Sequence, residues 1–316
     1  MKHILLILAL LTLFSANAAE LPIRTGLTLT ADHFPQQGVP KGELKGPFEF
    51  HSQIMANTVR RYWLFIPAQY QPSKPASVLV FQDGQRATNP QGSLRVPQVM
   101  ENLIAKGDMP VTIGIFITPG NLSEHYPQNL GMSNPDHRAP EYDAMDDRYA
   151  RFIVEEMLPA VSKDYNLTKD PEQRAIGGTS SGAIAAFTVA WHRPDVFRKV
   201  YSSIGSYVSI GFDADSQPIK LGGQDYPALI RREAIRPLRI FIQDGINDLD
   251  NEWGNWFLAN QQMVKALEYA NRIADQQTLE GARYQLRNVW TDGEHNDQHG
   301  GALLPEGLRW LWKANN

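Results

Sequence analysis

Ser180 stands in Gly178-Thr179-Ser180-Ser181-Gly182, a Gly-x-Ser-x-Gly run entered from the strand-like segment Arg174-Ala175-Ile176-Gly177. A serine on a sharp strand-to-helix turn has its hydroxyl lifted clear of the sheet, and flanking glycines tolerate the backbone angles and close packing of that turn. Ala183, Ala185, Ala186 and Ala190 follow, small residues that let a helix lie close against a sheet. Ser180 is therefore the candidate nucleophile. A serine hydroxyl attacks poorly near neutral pH unless a histidine takes its proton and an acid orients that histidine.

Those partners should follow in chain order. The buried-strand pattern Leu238-Arg239-Ile240-Phe241-Ile242-Gln243 runs into Asp244-Gly245-Ile246-Asn247-Asp248-Leu249-Asp250, a turn rich in carboxylates. Asp248 is the preferred acid and Asp250 the alternative, with Glu252 and Asp244 behind them. The next strand pattern, Tyr284 to Trp290, leads through Thr291-Asp292-Gly293-Glu294 to His295 and His299. His295 is the expected base because it lies nearer the strand's carboxyl end, where catalytic groups of such sheets converge; His299 is the alternative. The two histidines at i, i+4 spacing would suit a metal only on a helix, and Gly293, Gly300 and Gly301 read as loop, so no metal site is expected.

Charge developing on a carbonyl oxygen needs donors. The backbone N–H of Ser181 is one candidate, and that of Gln85, after Phe81-Gln82-Asp83-Gly84, is the second, with Gly84 next. Tyr142, in a long segment from Pro119 to Asp147, and Trp253 and Trp256, just after the acid turn, are expected substrate contacts able to stack on a sugar or phenolic ring.

Elements that could hold these groups are legible. Strand patterns occur at 60–66, 77–81, 111–117, 200–204, 238–242 and 284–290, and helical spacing at 96–105, 149–161, 258–270 and 305–313. Their alternation predicts an α/β fold: a single domain with a mostly parallel, doubly wound sheet flanked by helices. Residues 19–45 read as an extended lead-in and 46–316 as the domain. Met1-Lys2-His3, the apolar run Ile4 to Phe14 and the small residues Ala16-Asn17-Ala18 read as a secretory signal over 1–18, which predicts export to the periplasm or medium. No later segment has the roughly 18 apolar residues of a membrane span. With no cysteine, disulfides and thiolate chemistry are excluded, and stability must come from a core that 42% hydrophobic residues can supply. A net charge of -4 gives no sign of nucleic-acid binding. No cofactor is implied.

Arg60-Arg61-Tyr62-Trp63-Leu64-Phe65-Ile66-Pro67, Phe81-Gln82-Asp83-Gly84, Glu141-Tyr142, Gly178 to Gly182, Phe241 to Asp248, and Gly293-Glu294-His295-Asn296 with Leu303 to Trp312 together resemble the putative-esterase superfamily of the α/β-hydrolase fold, which includes enterochelin esterases, esterase D and feruloyl-type carbohydrate esterases. The resemblance covers most of the chain after the signal. It implies Ser180 as nucleophile, His295 as base and an acid at Asp248. The expected activity is that of an exported serine esterase acting through an acyl-enzyme on a small-molecule or oligosaccharide ester, with acyl or aryl (feruloyl or acetyl) esters of carbohydrates first and a siderophore trilactone second. A non-catalytic binding protein on the same scaffold is the reading from another class, and a serine, several acids and two histidines at the required places argue against it.

Overall fold

The computed structural model describes residues 22–128, 130 and 135–314. The expected signal segment, 1–18, lies outside them. Strand β1 (Ile23–Arg24) is followed by a 3-10 turn at Ala31–His33, then β2 (Glu43–His51), β3 (Val59–Ile66) and β4 (Ser77–Gln82). Helices α1 (Gly84–Ala87) and α2 (Val96–Lys106) lead to β5 (Thr112–Ile117). Beyond it come α3 (Arg138–Tyr142) and a helical run from α4 (Arg148–Arg151) through a π-helical turn to α5 (Leu158–Ser162). Next are β6 (Arg174–Thr179), α6 (Ser181–His192), β7 (Lys199–Ser203), α7 (Tyr226–Arg232) and β8 (Arg239–Asn247). A small hairpin, β9 (Asp250–Asn251) with β10 (Gly254–Asn255), precedes α8 (Trp256–Gln276), β11 (Gln285–Glu294) and α9 (Asp297–Trp312).

Nine strands form one sheet in the order β1-β11-β8-β7-β6-β4-β5-β3-β2. Pairing is parallel from β1 through to β5, and β3 and β2 close that edge antiparallel. This is the mostly parallel α/β arrangement the alternating patterns predict. The central strands β4, β5 and β7 are buried at every residue, as expected where helices cover both faces. Side chains of β4 alternate between two cores: Val78 and Val80 pack with α6 residues such as Ile184 and Phe187, while Leu79 and Phe81 pack with Leu103 of α2 and Leu304 and Leu308 of α9. Each fully buried Val, Leu or Phe contributes about 1.5–3 kcal/mol, so the sheet that carries the site is held from both sides.

Two places add to the sequence reading. Helix α9 begins at Asp297, ahead of the expected 305, and contains Gly300 and Gly301 in its first turns. The glycines serve packing there: a Cβ at Gly300 would lie 2.1 Å from Ser203 Oγ, and one at Gly301 2.2 Å from Ser93 O. From residue 22 onward the lead-in is tied into the fold at both edges, since β1 pairs with β11 on one side and β2, beginning at Glu43, with β3 on the other. Between them Asp32 reaches Lys106 Nζ at 2.5 Å and Arg309 Nη2 at 2.8 Å, fastening the strap to α2 and α9.

Candidate active site

Strand β6 ends at Thr179 and α6 starts at Ser181, so Ser180 alone makes the turn, with φ 57° and ψ −126°. A non-glycine residue so held costs about 1–3 kcal/mol, which the surrounding packing must offset. The neighbours explain themselves: a Cβ on Gly178 would sit 2.4 Å from Gly182 O, and one on Gly182 3.0 Å from Gln82 Cβ. Only glycine lets the strand, the first turn of α6 and the end of β4 approach this closely.

Three of the expected residues come together. Ser180 Oγ lies 2.8 Å from His295 Nε2, and His295 Nδ1 lies 2.5 Å from Asp248 Oδ1. His295 sits just beyond β11, with Asn296 capping α9 through its side chain and the Gln298 N–H. Asp248 follows β8, and its Oδ1 also accepts from the Leu249 N–H. Of the alternatives, His299 turns away on α9, its Nδ1 3.0 Å from Thr291 Oγ1. Asp250 is exposed in the β9–β10 hairpin. Among the described residues no group of three or more His, Cys, Asp or Glu is arranged to hold a metal ion.

Electrostatics separates the two carboxyls of the acid turn. Burial opposes charge on Asp248, but hydrogen bonds from His295 and Asp244 and the attraction of His295 hold its carboxyl below the usual aspartate range. Asp244 is fully buried. Burial first, then its hydrogen bond to Asp248 and the charge there, push it well above that range. Burial and the neighbouring charge thus favour the proton on Asp244 and the charge on Asp248, the arrangement in which an acid can orient an imidazole.

The backbone donors expected for an oxyanion lie on two turns, the one at Ser180 and the one after β4. Ser181 is the first residue of α6 and Gln85 the second of α1, so neither N–H has an intrahelical acceptor. Asp83 enters α1 in the left-handed region, with φ 53° and ψ 55°. Its carboxylate takes a two-pronged hydrogen bond from Arg138, at 3.1 and 2.8 Å. Gly84 is required beside it, because a Cβ there would meet Phe116 C at 2.7 Å. Arg138 belongs to the long 119–147 segment, which is anchored by the fully buried pair Arg60–Glu141 at 2.7 and 2.9 Å, with His137 Nδ1 2.8 Å from Glu141 Oε1. From the same segment Asp143 is buried near α6, and burial pushes its carboxyl up to about 6 against the Ser181 hydroxyl and Arg138, which lower it.

The aromatic residues divide. Trp253 is 44% exposed in the β9–β10 hairpin. Trp256 is buried, edge-on to the His295 ring at 5.5 Å between centroids, with its indole N–H donating to Ser206 Oγ at 3.1 Å. Tyr142 is fully buried, its hydroxyl accepting from the Asp83 N–H at 3.4 Å. Sequence reasoning passed over Ser206, Arg138 and Asp83. The signal for Ser206 was the run Ser202-Ser203-Ile204-Gly205-Ser206, small and polar at the carboxyl end of a buried strand next to the one that carries Ser180.

The sheet order and the strand-turn-helix that presents Ser180 define an α/β-hydrolase-fold protein. Residues 52–311 match the family model described as Putative esterase, and the chain belongs to that family of esterases. The uncharacterized protein YbbA of Bacillus subtilis (strain 168) is 26% identical over 149 residues, 47% of this chain and 57% of that protein. Among solved structures, the enterobactin esterase FES from Shigella flexneri is 20% identical with a TM-score of 0.63, over 91% of this chain and 63% of that one. The CE1 ferulic acid esterase AmCE1/Fae1A from Anaeromyces mucronatus is 16% identical with a TM-score of 0.60, over 91% of this chain and 97% of that one. This chain therefore spans less than two thirds of YbbA and of the enterobactin esterase, and nearly all of the ferulic acid esterase.

Proposed function

We propose that this esterase is an exported serine hydrolase whose natural substrate is an aryl or acyl ester of a carbohydrate. The observation that carries the mechanism is the unbroken line from Asp248 through His295 to Ser180, at 2.5 and 2.8 Å, ending on a serine held in a strained turn. Ser180 Oγ attacks the ester carbonyl as its proton passes to His295 Nε2. The N–H groups of Ser181 and Gln85 are the donors for the oxyanion. The alcohol leaves with the proton of His295, and water activated by the same imidazole releases the acid.

The substrate reading rests on the rim. Trp253, with the exposed Ile246 and Leu249 on the acid turn, offers an apolar surface suited to an aromatic acyl group. The names of two structural neighbours, a ferulic acid esterase and an enterobactin esterase solved with a dihydroxybenzoyl compound, both bring an aromatic acyl group to this fold. A siderophore trilactone is accordingly the second reading. Export rests on the sequence pattern of residues 1–18 alone.

The test is kcat/KM on methyl ferulate, acetylated xylan fragments and a catecholate trilactone, measured beside variants. Ser180→Ala and His295→Ala are each expected to cost a factor of about 10³ or more. His299→Ala should stay within about tenfold of the parent, a loss on the scale of one hydrogen bond. A preference of about a hundredfold, roughly 2.7 kcal/mol of transition-state discrimination, assigns the substrate class to whichever ester shows it. Full activity in Ser180→Ala would sink the mechanism.

A further inference from the structure

Ser206 is buried in the loop after β7, at 1% exposure, and lies outside the path of the proton from Ser180 to His295. Its Oγ is 3.2 Å from Ser180 Oγ and 3.1 Å from Trp256 Nε1. Its N–H reaches Ser180 O at 3.3 Å, so loop and turn are tied together by backbone as well. An indole nitrogen only donates, which makes Trp256 the donor to Ser206. His295 Nδ1 carries the proton facing Asp248, leaving Nε2 as acceptor for the single proton of Ser180. The Ser206 proton then points at Ser180 Oγ.

We propose that Ser206 is a further catalytic residue: its hydroxyl, oriented by the Trp256 N–H, donates a hydrogen bond to Ser180 Oγ through the formation and breakage of the acyl-enzyme. The proposal rests on Ser180 being the nucleophile. In acylation the Oγ–H proton goes to His295 Nε2, an Oγ lone pair forms the bond to the carbonyl carbon, and the carbonyl π pair moves to oxygen; collapse expels the alcohol, which takes the proton from His295. In deacylation water gives its proton to His295 and bonds to the acyl carbon, the C–Oγ bond breaks, and Oγ recovers a proton from His295. Negative charge passes through Oγ both times, with its bond to carbon only partly made. Ser206 keeps its own proton throughout and stabilises that charge without solvent having to reorganise. Because the same hydrogen bond exists before reaction, only its strengthening counts, and the effect should fall below the roughly 10²–10³ of a dedicated oxyanion donor.

The experiment compares the parent with Ser206→Ala, Trp256→Phe, the double variant and Ser180→Ala on a chromogenic ester, with thermal unfolding to verify the fold of each. Ser206→Ala is expected to lower kcat about tenfold with KM little changed, since the hydrogen bond strengthens as charge develops on Oγ and takes no part in binding substrate. Trp256→Phe keeps the ring beside His295 and removes the N–H, so it should lower kcat by a smaller factor and cost nothing further in the Ser206→Ala background. If Ser206→Ala does not fold, the Trp256→Phe loss in kcat decides alone. Ser206→Ala within about twofold of the parent while Ser180→Ala is inactive, or a loss confined to KM, overturns the role of Ser206 and leaves Ser180 in place. Activity surviving in Ser180→Ala overturns the nucleophile itself, and the role of Ser206 with it.

Discussion

Asp244, near the end of β8, and Asp248, just past it, are buried carboxyls whose charges oppose each other, and burial disfavours both being ionised together. Asp248 faces the imidazole, so the charge resides there and the proton on Asp244. This has a consequence for stability. In the unfolded chain Asp244 ionises near the ordinary aspartate value of about 3.9. Its folded value is raised, so the stability it contributes is full below that point and is lost as pH climbs toward the folded value. Asn at this position has no proton to take up or lose. The Tm of Asp244→Asn relative to the parent should therefore rise as pH climbs above about 4, the unfolded aspartate value. A difference that stays constant above that value would mean Asp244 is ionised in the folded protein.

At the level of elements, the turn after β4 is shaped by a segment distant in sequence. Arg138 of α3 holds the carboxylate of Asp83, and Asp83 in its left-handed conformation sets the direction of the Gly84–Gln85 amides. Arg86 stands 3.8 Å away and cannot replace the two-pronged contact. Arg138→Ala leaves a buried carboxylate short of donors, at a cost of about 1–3 kcal/mol. Loosening an oxyanion donor should also lower kcat about tenfold or more with KM little changed, and Arg138→Lys, lacking the fork, should not restore it. An unchanged kcat in folded Arg138→Ala would show that the turn holds its shape without the clamp. Arg138 also marks where sequence reading stops. Gly-x-Ser-x-Gly, the acid turn and the histidine loop were legible because each is a local pattern ending a strand. The burial of Trp256 and Tyr142, the Asp83–Arg138 pairing and the contact of Ser206 with Ser180 depend on which distant segments meet. Gly300 and Gly301 look like loop residues until Ser203 and Ser93 are found pressed against α9.

For the molecule as a whole, residues 22–51 run from one edge of the sheet to the other, and their midpoint is held by charge and hydrogen bonds more than by apolar burial. Asp32 joins Lys106 and Arg309, Asn102 Nδ2 donates to the carbonyls of Asp32 and Phe34, and His33 Nε2 meets Gly301 O at 2.8 Å. The two cations are partly exposed, so solvent screens them, and Asp32→Asn should cost about 1 kcal/mol, roughly 2 °C in a chain of this size. The sign with pH follows from the direction of the shift. Burial raises the Asp32 carboxyl, but the hydrogen bonds and charges of Lys106 and Arg309 outweigh it and leave the value lowered. Its contribution is then complete above the unfolded value of about 3.9 and disappears as pH falls through the folded one. The gap in Tm between Asp32→Asn and the parent should accordingly be open at neutral pH, narrow with added salt, and close as pH falls below the unfolded aspartate value and through the lower folded one, while kcat/KM at neutral pH is unchanged because the strap touches α2 and α9 but none of Ser180, His295 or Asp248. If the gap persisted unaltered into acid, the charge on Asp32 would be incidental to the fold.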